Sequence, residues 1–214
     1  VVPTITHNET NGQDYNSTVV NWSPSAMIWY DINDNTNIRG FYFGNSAQPT
    51  TSQLMPVPDN SNPLSVSLGN PYLKPYFRHD IRTRFGYSDR TKFLSFSGSL
   101  EGGLVQSPIV NASWYNDGGT QFSLPVNGPT SGNAALRTFF NVSNMLSGSW
   151  YTSSSYVGKS SFNTDKYYDG TNFDYELFHQ DFPDLGESGY FTTNKIQTMS
   201  IMERLKATYR NDFV

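Results

Sequence analysis

The sequence predicts an all-β protein, an antiparallel meander of about seven strands. Helical periodicity is almost absent from the 214 residues, whereas apolar and polar residues alternate in run after run. Aromatics are 15% of the chain while all hydrophobics together are 36%, so large β-favouring side chains take the place of Leu and Ile. The 17 Gly, 12 Pro and abundant Ser, Thr and Asn punctuate the runs as turns and loops.

In chain order, the patterning places strands near 18–31, 38–45, 77–88, 92–106, 134–142, 146–157 and 194–210. The third is the clearest. Phe77, His79, Ile81, Thr83, Phe85 and Tyr87 fall on one side; Arg78, Asp80, Arg82, Arg84 and Gly86 fall on the other. In the fourth, Leu94, Phe96, Gly98 and Leu100 oppose Ser95, Ser97, Ser99 and Glu101. In the last, Met199, Ile201, Leu205, Ala207 and Tyr209 share a side with Glu203, opposite Thr198, Ser200, Met202, Arg204 and Lys206. A single helical turn is expected near Thr50–Leu54.

The connections sort by length. Those at 31–37, 88–92 and 141–145 are short and rich in Asn, Asp and Ser, whereas 46–76, 107–133 and 158–193 are long excursions. Successive connections of an antiparallel meander lie at opposite ends of the sheet, so one end carries tight turns and the other carries every excursion. Outer-membrane barrels have this form, with strands of about ten residues that are apolar outside and polar inside. Arg78, Arg82 and Arg84 are then expected on a lumen face, and Trp29, Tyr30, Phe85 and Tyr87 in interfacial girdles. A half-exposed sheet in a soluble secreted β-sandwich that binds glycans through aromatic loops shows the same alternation and stays open as an alternative.

The segment "NPLSVSLGNPYLKPYFRHDIRTRFGYSD" (62–89) carries a more specific marker. Gly69-Asn70-Pro71-Tyr72-Leu73-Lys74-Pro75 resembles a Gly-Asn-Pro-x-Leu-Lys-Pro loop found ahead of a barrel strand in TonB-dependent receptors of the Bacteroides type. The resemblance extends into "QPTTSQLMPVPDNSNPL" and "SPIVNASWYNDGGTQFSLPVN" and is strongest over 38–145. It implies that residues 1–214 are a partial barrel domain in the outer membrane of a Gram-negative bacterium. Such receptors have about 22 strands; the plug, the energy-coupling segment and the remaining strands are not among these residues. It also implies partners: outer-membrane lipid, a nutrient ligand met by the long loops, and an energy-coupling protein reached through parts not present here. In isolation, such a fragment is expected to be an open or two-layer sheet.

Sequence motifs for chemistry are few. The net charge of −4 argues against nucleic acid as a partner, and zero Cys excludes disulfides and thiol chemistry. His7, His79 and His179 are far apart, "GESG" at 186–189 lacks nucleophile-elbow spacing, and "DINDNTNIRGFY" has Thr36 and Tyr42 where a calcium loop needs Gly and Glu. Catalytic, metal and cofactor residues are therefore assigned as none, and the chain is read as no enzyme. A third reading, a carboxylate-dependent glycoside hydrolase, would draw on Asp169, Asp174, Glu176, Asp181 and Glu187 in the acidic, aromatic stretch 165–191. The blander reading of that stretch is a solvated acidic loop pinned by its own aromatics.

Overall fold

The structure, a computed structural model, describes residues 2–7, 14–19, 22–141 and 144–206. The elements are β1 (Val2–His7), β2 (Asp14–Val19), β3 (Ser25–Asn33), β4 (Thr36–Ala47), α1 (Thr51–Leu54), β5 (Asp59–Asn62), β6 (Ser65–Ser67), β7 (Tyr76–Asp89), β8 (Leu94–Gln106), β9 (Ile109–Tyr115), β10 (Gln121–Asn127), β11 (Ser131–Phe140), β12 (Asn144–Gly158), α2 (Tyr175–Asp181) and β13 (Phe191–Arg204). β1 and β2 form a hairpin of their own. The other strands make one 11-stranded open sheet.

Within it, β3-β4-β7-β8-β11-β12-β13 is an unbroken antiparallel meander. These are the seven strands that the alternation predicts, with ends shifted by a few residues. The largest correction is at 18–31, which divides into β2 and β3. Pro24 has no N–H to donate, and only the carbonyls of Trp22 and Pro24 extend the ladder, accepting from Ser46 and Gly44. The last strand ends at Arg204, and Ala207, Tyr209 and their neighbours lie outside the described residues. The turn at Thr50–Leu54 forms as α1, closed by a capping box in which Thr50 and Gln53 each accept the other's backbone N–H.

The short connections, 34–35, 90–93 and 141–143, lie at one end of the meander, and the excursions 48–75, 107–130 and 159–190 leave from the other. At the short end the polar side chains take up the backbone: Asn33 accepts from Asn35, Asp89 from Thr91 and Lys92, and Asn141 from Ser95.

The register assigns every side chain to a face. Ile81 is level with Tyr42 and Gly102, and that row runs on through Ala134, Trp150 and Met199. This face collects Ile28, Ile38, Phe77, Ile81, Phe85, Leu94, Leu100, Leu104, Leu136, Leu146 and Ile201, and it is apolar almost throughout. No protein layer covers it: Ile81 is 55% exposed, Met199 71% and Ile201 67%. Phe77, Leu94, Phe85 and Leu100 thus fall with Ile81, as the alternation requires.

From the Phe77 row to the Tyr87 row is about 33 Å of strand at ~3.3 Å per residue. At a tilt of ~40° that is about 25 Å of height, the band an outer-membrane barrel shows to lipid. Tyr42, Phe77 and His79 group near the upper margin, with the Tyr42 hydroxyl 2.9 Å from His79 Nδ1. Phe85, Tyr87, Phe96 and Phe140 group near the lower one.

The opposite face carries the charges and is the more polar one, with Asn37, Arg39, Asp80, Ser97, Ser99, Glu101, Asn133, Arg137, Ser147, Ser149 and Ser200 beside Arg78, Arg82 and Arg84, interrupted by Met27, Phe41, Phe43, Phe139 and Met202. Trp29 corrects the girdle assignment. It pairs with Arg39 on the polar face, and only its neighbour Tyr30 faces the apolar side. No helix among the described residues is long and apolar enough to cross a membrane.

We predict that single cysteines at Asp59, Gly118 and Gly170 form one accessibility class and those at Asn35, Asp89 and Asn144 the other. The chain has no native Cys to confuse the labelling. Maleimide labelling before and after permeabilisation reads it, and mixed classes would contradict the topology. We also predict that Leu136→Arg destabilises the barrel by about 2–4 kcal/mol in a bilayer, whereas Ala135→Arg on the other face is near neutral. Denaturant titration in lipid vesicles compares the two.

Candidate functional site

The long connections fold together into a cap, and the buried core of the molecule lies there rather than in the meander. Val66 and Leu68, Trp114, Phe122 and Leu124, Tyr156, Phe162, Tyr167, Phe173, Phe178, Phe182, Leu185 and Phe191 form one cluster contributed by all three excursions. Trp114 is its centre, 1% exposed, with rings of Phe122, Phe162, Phe178 and Phe191 at 5.4–6.0 Å between centroids. Such pairs add about 0.5–1.5 kcal/mol each beyond their burial.

The cap grows out of the sheet through β12. β12 overruns β11, and its free upper edge takes β9 in parallel at Tyr156↔Ala112 and Val157↔Ser113. β9 pairs with β10, β10 with β6 in parallel, and β6 with β5. Where β12 passes the tryptophan, a Cβ on Gly158 would lie 2.5 Å from Trp114 Cβ, so only glycine permits the approach.

The loop Gly69-Asn70-Pro71-Tyr72-Leu73-Lys74-Pro75 clasps the first excursion to the second. Gly69 lies against Met55 so closely that a Cβ there would meet the Met55 carbonyl oxygen at 1.8 Å. Asn70 donates its backbone N–H to Gln53 and its side-chain amide to Pro125, and accepts from the Tyr72 N–H. Asn127 accepts from the Lys74 N–H at 2.8 Å and donates back to the Lys74 carbonyl at 2.9 Å. Leu73 is buried and Pro75 leads into β7. Gly69, Asn70, Leu73 and Lys74 hold the architecture of the loop, whereas Tyr72 between them is 41% exposed.

The stretch 165–191 is a folded part of this core, which corrects the picture of a solvated loop. Three of its carboxylates hold backbone or a close ion pair. Asp174 caps α2 by accepting from Leu177, Asp169 accepts from Thr171 and Asn172, and Asp181 accepts from Lys166 Nζ and Tyr167 Oη. Lys166 holds the Asp181 carboxyl below the ordinary carboxylate range, and the backbone N–H groups of Asn172 and Thr171 do the same for Asp169. Burial pushes the Tyr167 and Tyr156 hydroxyls up.

One cleft of about 370 Å³ opens where the excursions meet, lined by Tyr72, Lys74, Tyr156, His179, Phe182 and Asp184 among others. Tyr72 stacks on His179 with centroids 4.2 Å apart and planes 8° apart, joining residues far apart in the chain into one flat aromatic platform. Both were visible in the sequence, but nothing local connects them. The size and mixed lining suit a small-molecule site.

On the polar face of the meander, Arg78 grips Asp80 at 2.8 and 3.0 Å, and Arg82 meets its register partner Glu101 at 3.1 Å. Arg84 has no such partner among the described residues. Arg39 and Arg137, which the sequence reading passed over, lie on the same face; a lone Arg in a short alternating run gives no signal until strand register is known.

Residues 3–209 match the model of a known family, described as the outer membrane protein beta-barrel family. That span is nearly the whole chain, and the chain belongs to this family. Its place is the outer membrane. A comparison with curated proteins finds no match.

We predict that Asn127→Ala loosens the cap by about 1–3 kcal/mol, since it strands the Lys74 and Ser107 backbone groups it serves. A variant keeping Trp114 as its single tryptophan should show red-shifted emission at a lower denaturant concentration when Asn127 is replaced. The same reporter reads acid. Asp169 and Asp181 have depressed folded values, so their stabilisation is complete above about pH 4 and is lost as pH falls through those values. The cap should loosen in that acid window, and Asp181→Asn should weaken the pH dependence.

Proposed function

We propose, with membership of the outer membrane β-barrel family as the premise, that the parent protein takes up a nutrient ligand in the manner of a TonB-dependent receptor. On this reading the cap faces the outside and makes first contact, the polar face lines the lumen, and these residues carry no catalysis. The observation that carries it is the shared cleft. All three excursions, which a passive pore could leave as separate loops, build one core and one concave surface above the lumen. The resemblance of residues 69–75 to the receptor loop supports the finer assignment.

The flat Tyr72–His179 platform, with Lys74 and Asp184 at the same cleft, suits a polar ligand with at least one flat or ring-shaped face. Three of the carboxylates of 165–191, Asp169, Asp174 and Asp181, are engaged in holding the cap, which favours binding over hydrolysis.

The test is energised uptake. Cells expressing the intact protein should take up a ligand drawn from a panel of oligosaccharides and peptides, and a protonophore should abolish that uptake. Tyr72→Ala and His179→Ala should each raise the half-saturating concentration about tenfold while the barrel stays assembled in the membrane. Uptake indifferent to the protonophore would make the protein a passive channel. Uptake unaffected by both substitutions would remove the cleft from the account.

A further inference from the structure

The arginines of the polar face are of two kinds. Arg78 and Arg82 are neutralised by Asp80 and Glu101. The side chains of Arg39, Arg84 and Arg137 make neither an ion pair nor a hydrogen bond with any described residue. They also share one transverse row: Arg39 is the register partner of Arg84, Arg84 of Ser99, and Ser99 of Arg137.

Like charges directly opposite each other on adjacent strands destabilise a sheet. Here two guanidinium groups stand side by side, with a third two strands further on. Of the acids on that surface, Asp80 and Glu101 already serve Arg78 and Arg82, and Asp31, diagonal to Arg39 across the β3–β4 ladder, makes no ion pair with a described residue, so three free guanidinium groups face one free carboxylate. The three line one hollow of about 420 Å³, together with Asn37, Ser99, Phe139 and the Glu101 carboxylate. The hollow is open, its walls are largely apolar, and its three guanidinium groups outnumber its one carboxylate.

We propose that Arg39, Arg84 and Arg137 form a binding site for the oxyanion groups of a water-borne solute, whether carboxylate, sulfate or phosphate. Neighbouring strands are about 4.8 Å apart, so a single oxyanion bridges the Arg39 and Arg84 forks, and Arg137 stands about 10 Å beyond Arg84. The site therefore favours an extended or multiply charged anion over a single small one. Ser99 supplies a neutral hydroxyl between Arg84 and Arg137, and Asn37 an amide in the neighbouring row beside Arg39. The site lies in the meander, apart from the cap cleft, and depends on the polar face being wet rather than on the uptake mechanism.

The experiment is calorimetric titration of the intact protein in detergent with tripolyphosphate and, separately, with inorganic phosphate. Tripolyphosphate should bind at least about tenfold more tightly than phosphate, and added NaCl should weaken it. Arg39→Gln, Arg84→Gln and Arg137→Gln should each weaken tripolyphosphate at least about tenfold, the loss expected for a charge-assisted hydrogen-bonding fork. Arg78→Gln, which removes an already paired charge whose partner Asp80 lies outside the hollow, should stay within about twofold. Arg84→Lys keeps the charge without the fork and should fall between, which separates loss of the site from loss of folding. Absence of tripolyphosphate binding by the native protein would overturn the proposal, as would equal weakening by Arg78→Gln. If the native protein does not bind the probe and the Gln variants lower the melting temperature of the intact chain, the row is neutralised by carboxylates of its own polypeptide, and the solute site is refuted.

Discussion

A sheet whose apolar face no protein layer covers and whose other face carries the charges has no interior. That constraint organises the rest of the chain. The meander strands are held by their hydrogen-bonded ladders and by the match of each face to its solvent, so their largest apolar side chains remain uncovered by protein. An interior of close-packed side chains can form only where the chain leaves the membrane. It forms in the excursions, around Trp114.

The cap is therefore a small folded unit built on the end of a membrane sheet. β12 joins the two, since the same strand carries Trp150 on the apolar face below and Tyr156 in the aromatic core above. The core is made of rings because rings bury much area per residue with few rotamers, which suits a cap assembled from short segments. One cost is visible. Trp114 Nε1 is buried with no hydrogen-bond partner among the described residues, a penalty that the surrounding rings offset.

The polar face follows another rule. Water screens its ion pairs, so Arg78–Asp80 and Arg82–Glu101 contribute little to stability individually. What they change is the local balance of charge: they remove two of the arginines from the field and leave Arg39, Arg84 and Arg137 as a positive band. Pairing in one row and its absence in the next give the polar face a pattern that net charge alone does not show.

The sequence by itself determined the strands, their faces and the sorting of the connections by length. These are local properties: a period of two assigns Phe77 and Arg78 to opposite faces whatever else the chain does, and Asn- and Asp-rich segments turn wherever they occur. It also marked the loop at 69–75, whose Gly is required by a close approach to Met55. Trp29 was misplaced because β3 is apolar on both faces, so hydrophobicity there could not choose the side. Only the tertiary structure decided that the excursions share one core, that Tyr72 stacks on His179, and that Arg39, Arg84 and Arg137 stand in one row. Each depends on pairing between distant segments: β6 with β10 and β9 with β12 in parallel, and four strands in fixed register. No local period encodes such pairings, because the energy that selects them comes from the packing of the whole.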